Sequence, residues 1–219
     1  MKTPLVAIID YGMGNLFSIV QACNKVYLDT LVVSSTDVIG SADGLILPGV
    51  GAFGDAIETL KKLSLFDKIK SFVASGKPLM GICLGMQLLM SESFEFGHHK
   101  GLDVVKGSVI RFEKPADNGG NILKVPHVGW NKIDVVLNGR LWEGTMLTGI
   151  ANGDFMYFSH SYHVVPDSEV VIVSTTKYGD KQFCSSLQYG NVFGCQYHPE
   201  RSGRQGLKIY ENFAQLLKK

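Results

Sequence analysis

A cysteine with glycine at both second neighbours, Gly81-Ile82-Cys83-Leu84-Gly85, has the G-x-C-x-G spacing of a nucleophile elbow in its thiol form. Glycine suits both positions because a Cβ there would collide with a sharply turned backbone or an adjacent strand. Residues 78–82 read as a short buried strand and 84–90 as the first turns of a helix, which leaves Cys83 in the turn between them. At that place the positive end of a helix dipole and several free N–H groups would favour the thiolate. The N–H of Leu84 could serve as one donor to an anion formed during attack. The competing reading is a buried structural cysteine, since free cysteine is among the most buried residue types.

A second constellation lies far downstream, in a segment that begins as a strand at Val192 and ends in His198-Pro199-Glu200. Proline excludes helix there, and residues two apart in an extended segment share a face. Glu200 can therefore accept from one imidazole nitrogen of His198 while the other nitrogen faces a thiol, which is how a general base is oriented. Without a nucleophile nearby, the same residues would be a surface His-Glu pair. Pro48-Gly49-Val50-Gly51 is the third stretch: two glycines after a proline can aim N–H groups into a cleft as an anion-binding nest, or simply close a βα loop. Other groupings carry less. Gly12-x-Gly14 lacks the third glycine of a dinucleotide fingerprint, with Phe17 in its place, so a tight turn with Asn15 near a helix start is expected. His98-His99 has no further ligand at workable spacing and reads as a solvated loop. His160 and His163, three apart on an extended segment, are expected to point to opposite faces, which argues against a shared metal.

The elements that must position these residues follow from the apolar pattern. Leu5–Ile9 is a continuous apolar run, as in a central parallel strand, and Leu16, Ile19, Val20, Cys23, Val26 and Tyr27 then share one helical face. Strands at 31–33 and 44–47, helices at 56–62 and 66–74, and the strand before Cys83 continue the βα alternation. In an open parallel sheet the loops at the carboxyl ends of neighbouring strands converge, which would bring Pro48-Gly49-Val50-Gly51 to Cys83. After Met90 the pattern shifts to short strands at 108–112, 133–136, 155–158, 170–173 and 182–184, read as antiparallel or mixed additions completing the same sheet. Leu207, Tyr210, Phe213, Ala214 and Leu217 mark a C-terminal amphipathic helix. The expected fold class is α/β, an open, mostly parallel twisted sheet with helices on both faces and antiparallel additions in the second half, as one domain over residues 1–219.

Composition narrows the setting. A net charge of +1 gives no electrostatic case for nucleic acid or an anionic membrane surface. No apolar stretch approaches the ~20 residues of a membrane span, and the N-terminal run reads as a first strand rather than a signal peptide. Cys23, Cys83, Cys184 and Cys195 form no C-x-x-C pair, which favours a reducing cytoplasm and speaks against zinc; nothing supports a metal or an organic cofactor.

Pro48-Gly49-Val50-Gly51, Gly81-Ile82-Cys83-Leu84-Gly85-Met86-Gln87 and His198-Pro199-Glu200 together resemble, in order and approximate spacing, the class I (triad) glutamine amidotransferases. Pro126-His127-Val128-Gly129-Trp130-Asn131, Tyr157-Phe158-Ser159-His160-Ser161-Tyr162 and Glu200-Arg201-Ser202-Gly203 narrow the resemblance to the glutaminase subunits of imidazole glycerol phosphate synthase. The resemblance implies a Cys83-His198-Glu200 triad that hydrolyses glutamine through a thioester, with an oxyanion hole from the N–H groups of Val50 and Leu84. It implies that Gly49, Gly51, Gln87, Ser161 and Tyr162 hold the substrate. It also implies a heterodimer with a (β/α)8 barrel cyclase that receives the ammonia for histidine biosynthesis, contacted through Met13, Gly14, Asn15, Trp130, Asn131, Tyr157 and Arg201. The lone subunit would be nearly inactive, its Val50 peptide misaligned until the synthase binds its ligand. Arg201 stands where many relatives carry lysine. Residues 95–102 and 210–213 also look like a branch that feeds ammonia to a surface-sugar amidating synthase. A non-catalytic module and a stand-alone hydrolase of the same fold are the remaining alternatives.

Overall fold

The computed structural model describes residues 3–35, 38–136 and 142–218. Thr36 and Asp37, in the polar stretch after the second strand, lie outside the described residues, as do Met1 and Lys2. The first half alternates as the apolar pattern requires: β1 (Leu5–Ile9), α1 (Leu16–Lys25), β2 (Asp29–Val33), β3 (Gly44–Leu47), α2 (Phe53–Lys62), α3 (Leu65–Ala74), β4 (Leu79–Ile82) and α4 (Leu84–Leu88). The second half is strand-rich: β5 (Met90–Ser93), β6 (His99–Lys100), β7 (Val105–Arg111), β8 (His127–Lys132), β9 (Asp134–Val135), β10 (Phe155–His160), β11 (Tyr162–Pro166), β12 (Ile172–Tyr178), β13 (Lys181–Tyr189) and β14 (Val192–Cys195). It closes with α5 (Gly203–Leu216).

The main sheet runs β2-β1-β3-β4-β14-β13-β12-β9. Its first five strands are parallel, and β13, β12 and β9 extend it antiparallel. Alternation along the strands splits the core. Val6, Ile8, Ile46, Met80 and Ile82 face Ile19 and Cys23 of α1 and Ile209 and Phe213 of α5. Ala7, Ile9, Leu45, Leu47 and Leu79 face Phe53, Ile57 and Leu60 of α2 and Ile69 and Phe72 of α3.

Not all later strands complete this sheet. β11-β7-β5-β6 form a four-stranded sheet and β10-β8 a separate pair. The divergence starts at α4, which is only five residues long and is followed almost at once by β5. A parallel crossover needs a dozen or more residues, so the chain cannot return to the far end of the main sheet and leaves it instead. The helix expected over 84–90 therefore stops at Leu88, and the 170–173 run splits into a 3-10 turn at Glu169–Val171 and the start of β12.

Candidate active site

Cys83 sits between β4 and α4 with φ 54° and ψ −110°, a left-handed conformation rare outside glycine. Its N–H donates to Cys195 O at 2.8 Å, which ties the elbow to the adjacent β14. The glycine requirement is literal at Gly85, where a Cβ would lie 1.7 Å from Leu47 O of β3. His198 follows β14, its N–H donating to Tyr157 O at 2.9 Å and its carbonyl accepting from Ser202 Oγ at 2.7 Å. Its Nδ1 meets Glu200 Oε1 at 2.8 Å, with both side chains buried. The contact is the expected one, but its geometry is not extended: Pro199–Arg201 forms one 3-10 turn, because proline is well tolerated at the first position of a helix. Glu200 Oε2 has no hydrogen-bond partner among the described residues.

Burial alone would push the His198 imidazole down in pKa, but interactions with Cys83 and with the Glu200 carboxylate outweigh it and raise the ring to about 10. Cys83 Sγ donates weakly to Ser159 O at 3.9 Å and receives Gln196 Nε2 at 3.6 Å. Gln196, fully buried, also accepts from Gln87 Nε2 at 3.0 Å. Sequence reasoning passed over Gln196, although its place two residues before His198 put it on the same face of the strand end.

A cavity of about 260 Å³ opens in front of Cys83, bordered by Val50, Gly51, Leu84, Gln87, Ser161 and Tyr162. Glu95 lines it too and was not foreseen, since an acid between Phe94 and Phe96 carries no spacing signal. Its Oε2 accepts from Phe53 N at 2.6 Å, and burial raises its carboxyl above the usual range despite that bond. Gly49 does not border this cavity but lines a smaller one beside His198 and Glu200. A Cβ at Gly49 would lie 2.2 Å from Tyr11 Oη, the same hydroxyl that donates to Pro48 O at 2.7 Å.

The two N–H groups expected to form an oxyanion hole do not converge here. Leu84 N donates to Gly49 O at 3.3 Å, so the carbonyl of the Gly49–Val50 peptide takes the N–H expected to serve an oxyanion. In a trans peptide the N–H points opposite to its carbonyl, which turns Val50 N–H away. The expected set of free N–H groups at the start of α4 is reduced accordingly.

The residues expected to face a partner form one patch in part. Trp130, 56% exposed, meets Tyr157 edge-on at 6.1 Å between ring centroids, and the Arg201 guanidinium lies 4.5 Å over the Tyr157 ring. Asn15 caps α1, accepting from Ser18 N, beside half-buried Met13 and Gly14. Asn131 differs, its amide turned inward onto Lys177 O and His127. A small cavity of about 80 Å³ bordered by Gly14, Asn15, Val50, His198, Glu200 and Arg201 lies between the triad and this face.

The remaining histidines depart from expectation. His99 belongs to β6, and His98 bonds Glu92 at 2.7 Å while stacking on Phe94, so the pair is built into a hairpin rather than a free loop. His160 and His163 both pack on Phe112, because the bend at Ser161 between β10 and β11 breaks the strand alternation. No group of three or more potential metal ligands occurs among the described residues, and no helix among them is long and apolar enough to cross a membrane.

A strained thiol elbow, a buried His-Glu pair and convergent loops on a mostly parallel sheet define a class-I glutamine amidotransferase, and the family model of that description matches residues 7–216. The fold agrees with solved structures titled as a glutamine amidotransferase (TM-score 0.71, 18% identity, covering 98% of this chain and 99% of that one) and as PurLQS from Thermotoga maritima (TM-score 0.71, 19% identity, 98% and 99%). Curated relatives are more similar in sequence. Imidazole glycerol phosphate synthase subunit HisH of Aquifex aeolicus is 45% identical, covering 97% of each chain. The subunit of the same name from Syntrophotalea carbinolica is 43% identical over 97% of this chain and 100% of the relative, and that from Moorella thermoacetica 45% over 97% and 95%. The chain belongs to the family of imidazole glycerol phosphate synthase HisH subunits.

Proposed function

We propose that residues 1–219 act as one glutamine amidotransferase domain, the glutaminase subunit of imidazole glycerol phosphate synthase, which hydrolyses glutamine and passes the ammonia to a (β/α)8 barrel cyclase in histidine biosynthesis. The observation that carries the chemistry is the elbow thiol of Cys83 beside an imidazole held by a buried carboxylate. Cys83 Sγ attacks the carboxamide carbon of glutamine. His198 takes the thiol proton and gives it to the departing ammonia, which leaves a glutamyl thioester. Water, deprotonated by His198, then attacks the thioester carbon; the C–S bond breaks, the proton returns to sulfur and glutamate leaves. Glu200 keeps the ring oriented throughout.

The Gly49–Val50 peptide must turn for this to run fast. Turning delivers Val50 N–H and frees Leu84 N–H, each donor worth roughly 3–4 kcal/mol in well-studied hydrolases. Within the cavity, both N–H bonds of Gln87 are taken by Tyr162 O and Gln196 Oε1. What Gln87 offers the substrate is therefore its amide oxygen, which with the Glu95 carboxylate suits an α-ammonium group. Gly51, Ser161 and Tyr162 border the rest of the substrate, with Gly49 acting through the loop behind. Ammonia leaves past His198 and Glu200 towards the face carrying Met13, Asn15, Trp130, Tyr157 and Arg201, against which the cyclase sits; Asn131 supports that face from within. The four cysteines are free, which supports a cytoplasmic site of action.

The test is glutamate release from glutamine with and without the barrel synthase and its nucleotide ligand. Large stimulation, lost in Cys83→Ala, is the expected result. No stimulation, with Cys83 still alkylated by a glutamine-derived chloroketone, would move the partner to a sugar-amidating synthase while keeping the glutaminase.

A further inference from the structure

Two buried histidines outside the triad are joined in a hydrogen-bonded chain whose proton positions are fixed from both ends. At one end Asn131 Nδ2 donates to Lys177 O at 2.8 Å and to His127 Nε2 at 3.2 Å, so that nitrogen accepts and the His127 proton sits on Nδ1. At the other end Tyr162 O can only accept, so His160 carries its proton on Nδ1, 2.9 Å away. The two requirements meet without conflict in the middle: His127 Nδ1–H donates to His160 Nε2 at 3.1 Å. Charging His160 would set its Nε2–H against His127 Nδ1–H, and charging His127 would set its Nε2–H against the Asn131 amino group.

The surroundings favour the neutral pair. His127 is 3% and His160 6% exposed, within a box of Phe112, Phe158, Tyr178 and Phe183. Burial lowers His127 to about 4 and drives His160 down as well, with His163 and His198 the other titratable groups acting on His160. The hydrogen-bonded chain ends on the wall of the substrate cavity, which His160 itself borders. Tyr162 O receives Gln87 Nε2 at 3.0 Å in addition to His160, so both its lone pairs are engaged and the Ser161–Tyr162 wall is held in one orientation.

We infer that His127 and His160 are positioning residues for glutamine, a neutral imidazole relay from Asn131 on β8 to the Tyr162 carbonyl that sets the cavity wall. This inference rests on the glutaminase reading of the cavity. His160 borders the cavity that holds Cys83, yet neither ring hydrogen-bonds Cys83, so the relay governs glutamine affinity rather than the chemical step.

Two measurements test it. Long-range 15N–1H spectra of the histidine rings at pH 7 should show both His127 and His160 as neutral Nδ1–H tautomers, the minority form of imidazole in water. An Nε2–H tautomer or an imidazolium at either ring overturns the relay. In kinetics with the synthase bound, His160→Phe keeps a ring and loses both hydrogen bonds. It should raise KM for glutamine about tenfold, the equivalent of one hydrogen bond, with kcat within about twofold. His160→Asn, whose amide nitrogen replaces Nδ1–H, should restore KM to within about threefold. A fall in kcat at unchanged KM, or no rescue by asparagine, overturns it. Should His160→Phe not fold, His127→Phe is read in the same way. The half-saturating concentration of a glutamine-derived chloroketone on Cys83 gives the same comparison without a partner. A wild-type chain that is never labelled would sink the glutaminase reading, and the ring spectra would still decide the relay.

Discussion

At the scale of single residues, the triad makes the sharpest expectations. Cys83→Ala should remove at least about 10³-fold of the stimulated glutaminase rate without unfolding the chain, measured as glutamate release beside a thermal melt. Glu200→Gln should lower kcat by about 10²–10⁴-fold, since the imidazole loses the partner that orients it. Cys83 first and then Glu200 fix a pH dependence of stability through His198. Because the folded state raises His198 to about 10, the proton bound there stabilises the fold fully below the unfolded value near 6.5, and this contribution is lost as pH rises towards 10. Urea unfolding of wild type and Glu200→Gln from pH 6 to 10.5 should therefore show a gap that narrows with pH; a constant gap would contradict the assignment. The proposed triad residues stood out in the sequence because each carries a local spacing, G-x-C-x-G or H-P-E. Gln196 and Glu95 were not, because a buried amide and a single acid in a hairpin acquire their roles only from what the fold sets opposite them.

At the scale of elements, the elbow depends on how closely α4 approaches β3. Gly85→Ala drives a methyl into Leu47 O, a backbone atom that cannot swing aside, and should lower unfolding stability by about 2 kcal/mol or more by chemical denaturation. Little loss would mean that the strand and helix can separate. The parallel half of the sheet could be read from continuous apolar runs separated by glycine and polar turns. The second half could not, because its segmentation follows from the shortness of α4: five residues cannot carry the chain back across the sheet, so strands that look alike in sequence are dealt to three different sheets. The bend at Ser161 has the same character. Residues 159–163 read as one extended segment, yet the break between β10 and β11 brings His160 and His163 onto one aromatic cluster and turns Tyr162 O towards Gln87.

At the scale of the whole molecule, the exposed Trp130 with Tyr157 and Arg201 stacked behind it has the composition of an interface anchor. Trp130→Ala should weaken binding to the barrel synthase by about 2 kcal/mol, roughly 30-fold in Kd, while alkylation of Cys83 by a small electrophile stays unchanged. A calorimetric titration beside a labelling time course separates the two. Equal binding by the variant would take the anchor role from Trp130.

The hydrogen bond from Leu84 N to Gly49 O has a meaning for cell economy as well. With Leu84 N–H as the proposed oxyanion donor, the Gly49 carbonyl is an intramolecular competitor that no dilution removes. On the proposed mechanism, copies in excess of the cyclase should stand idle instead of draining glutamine.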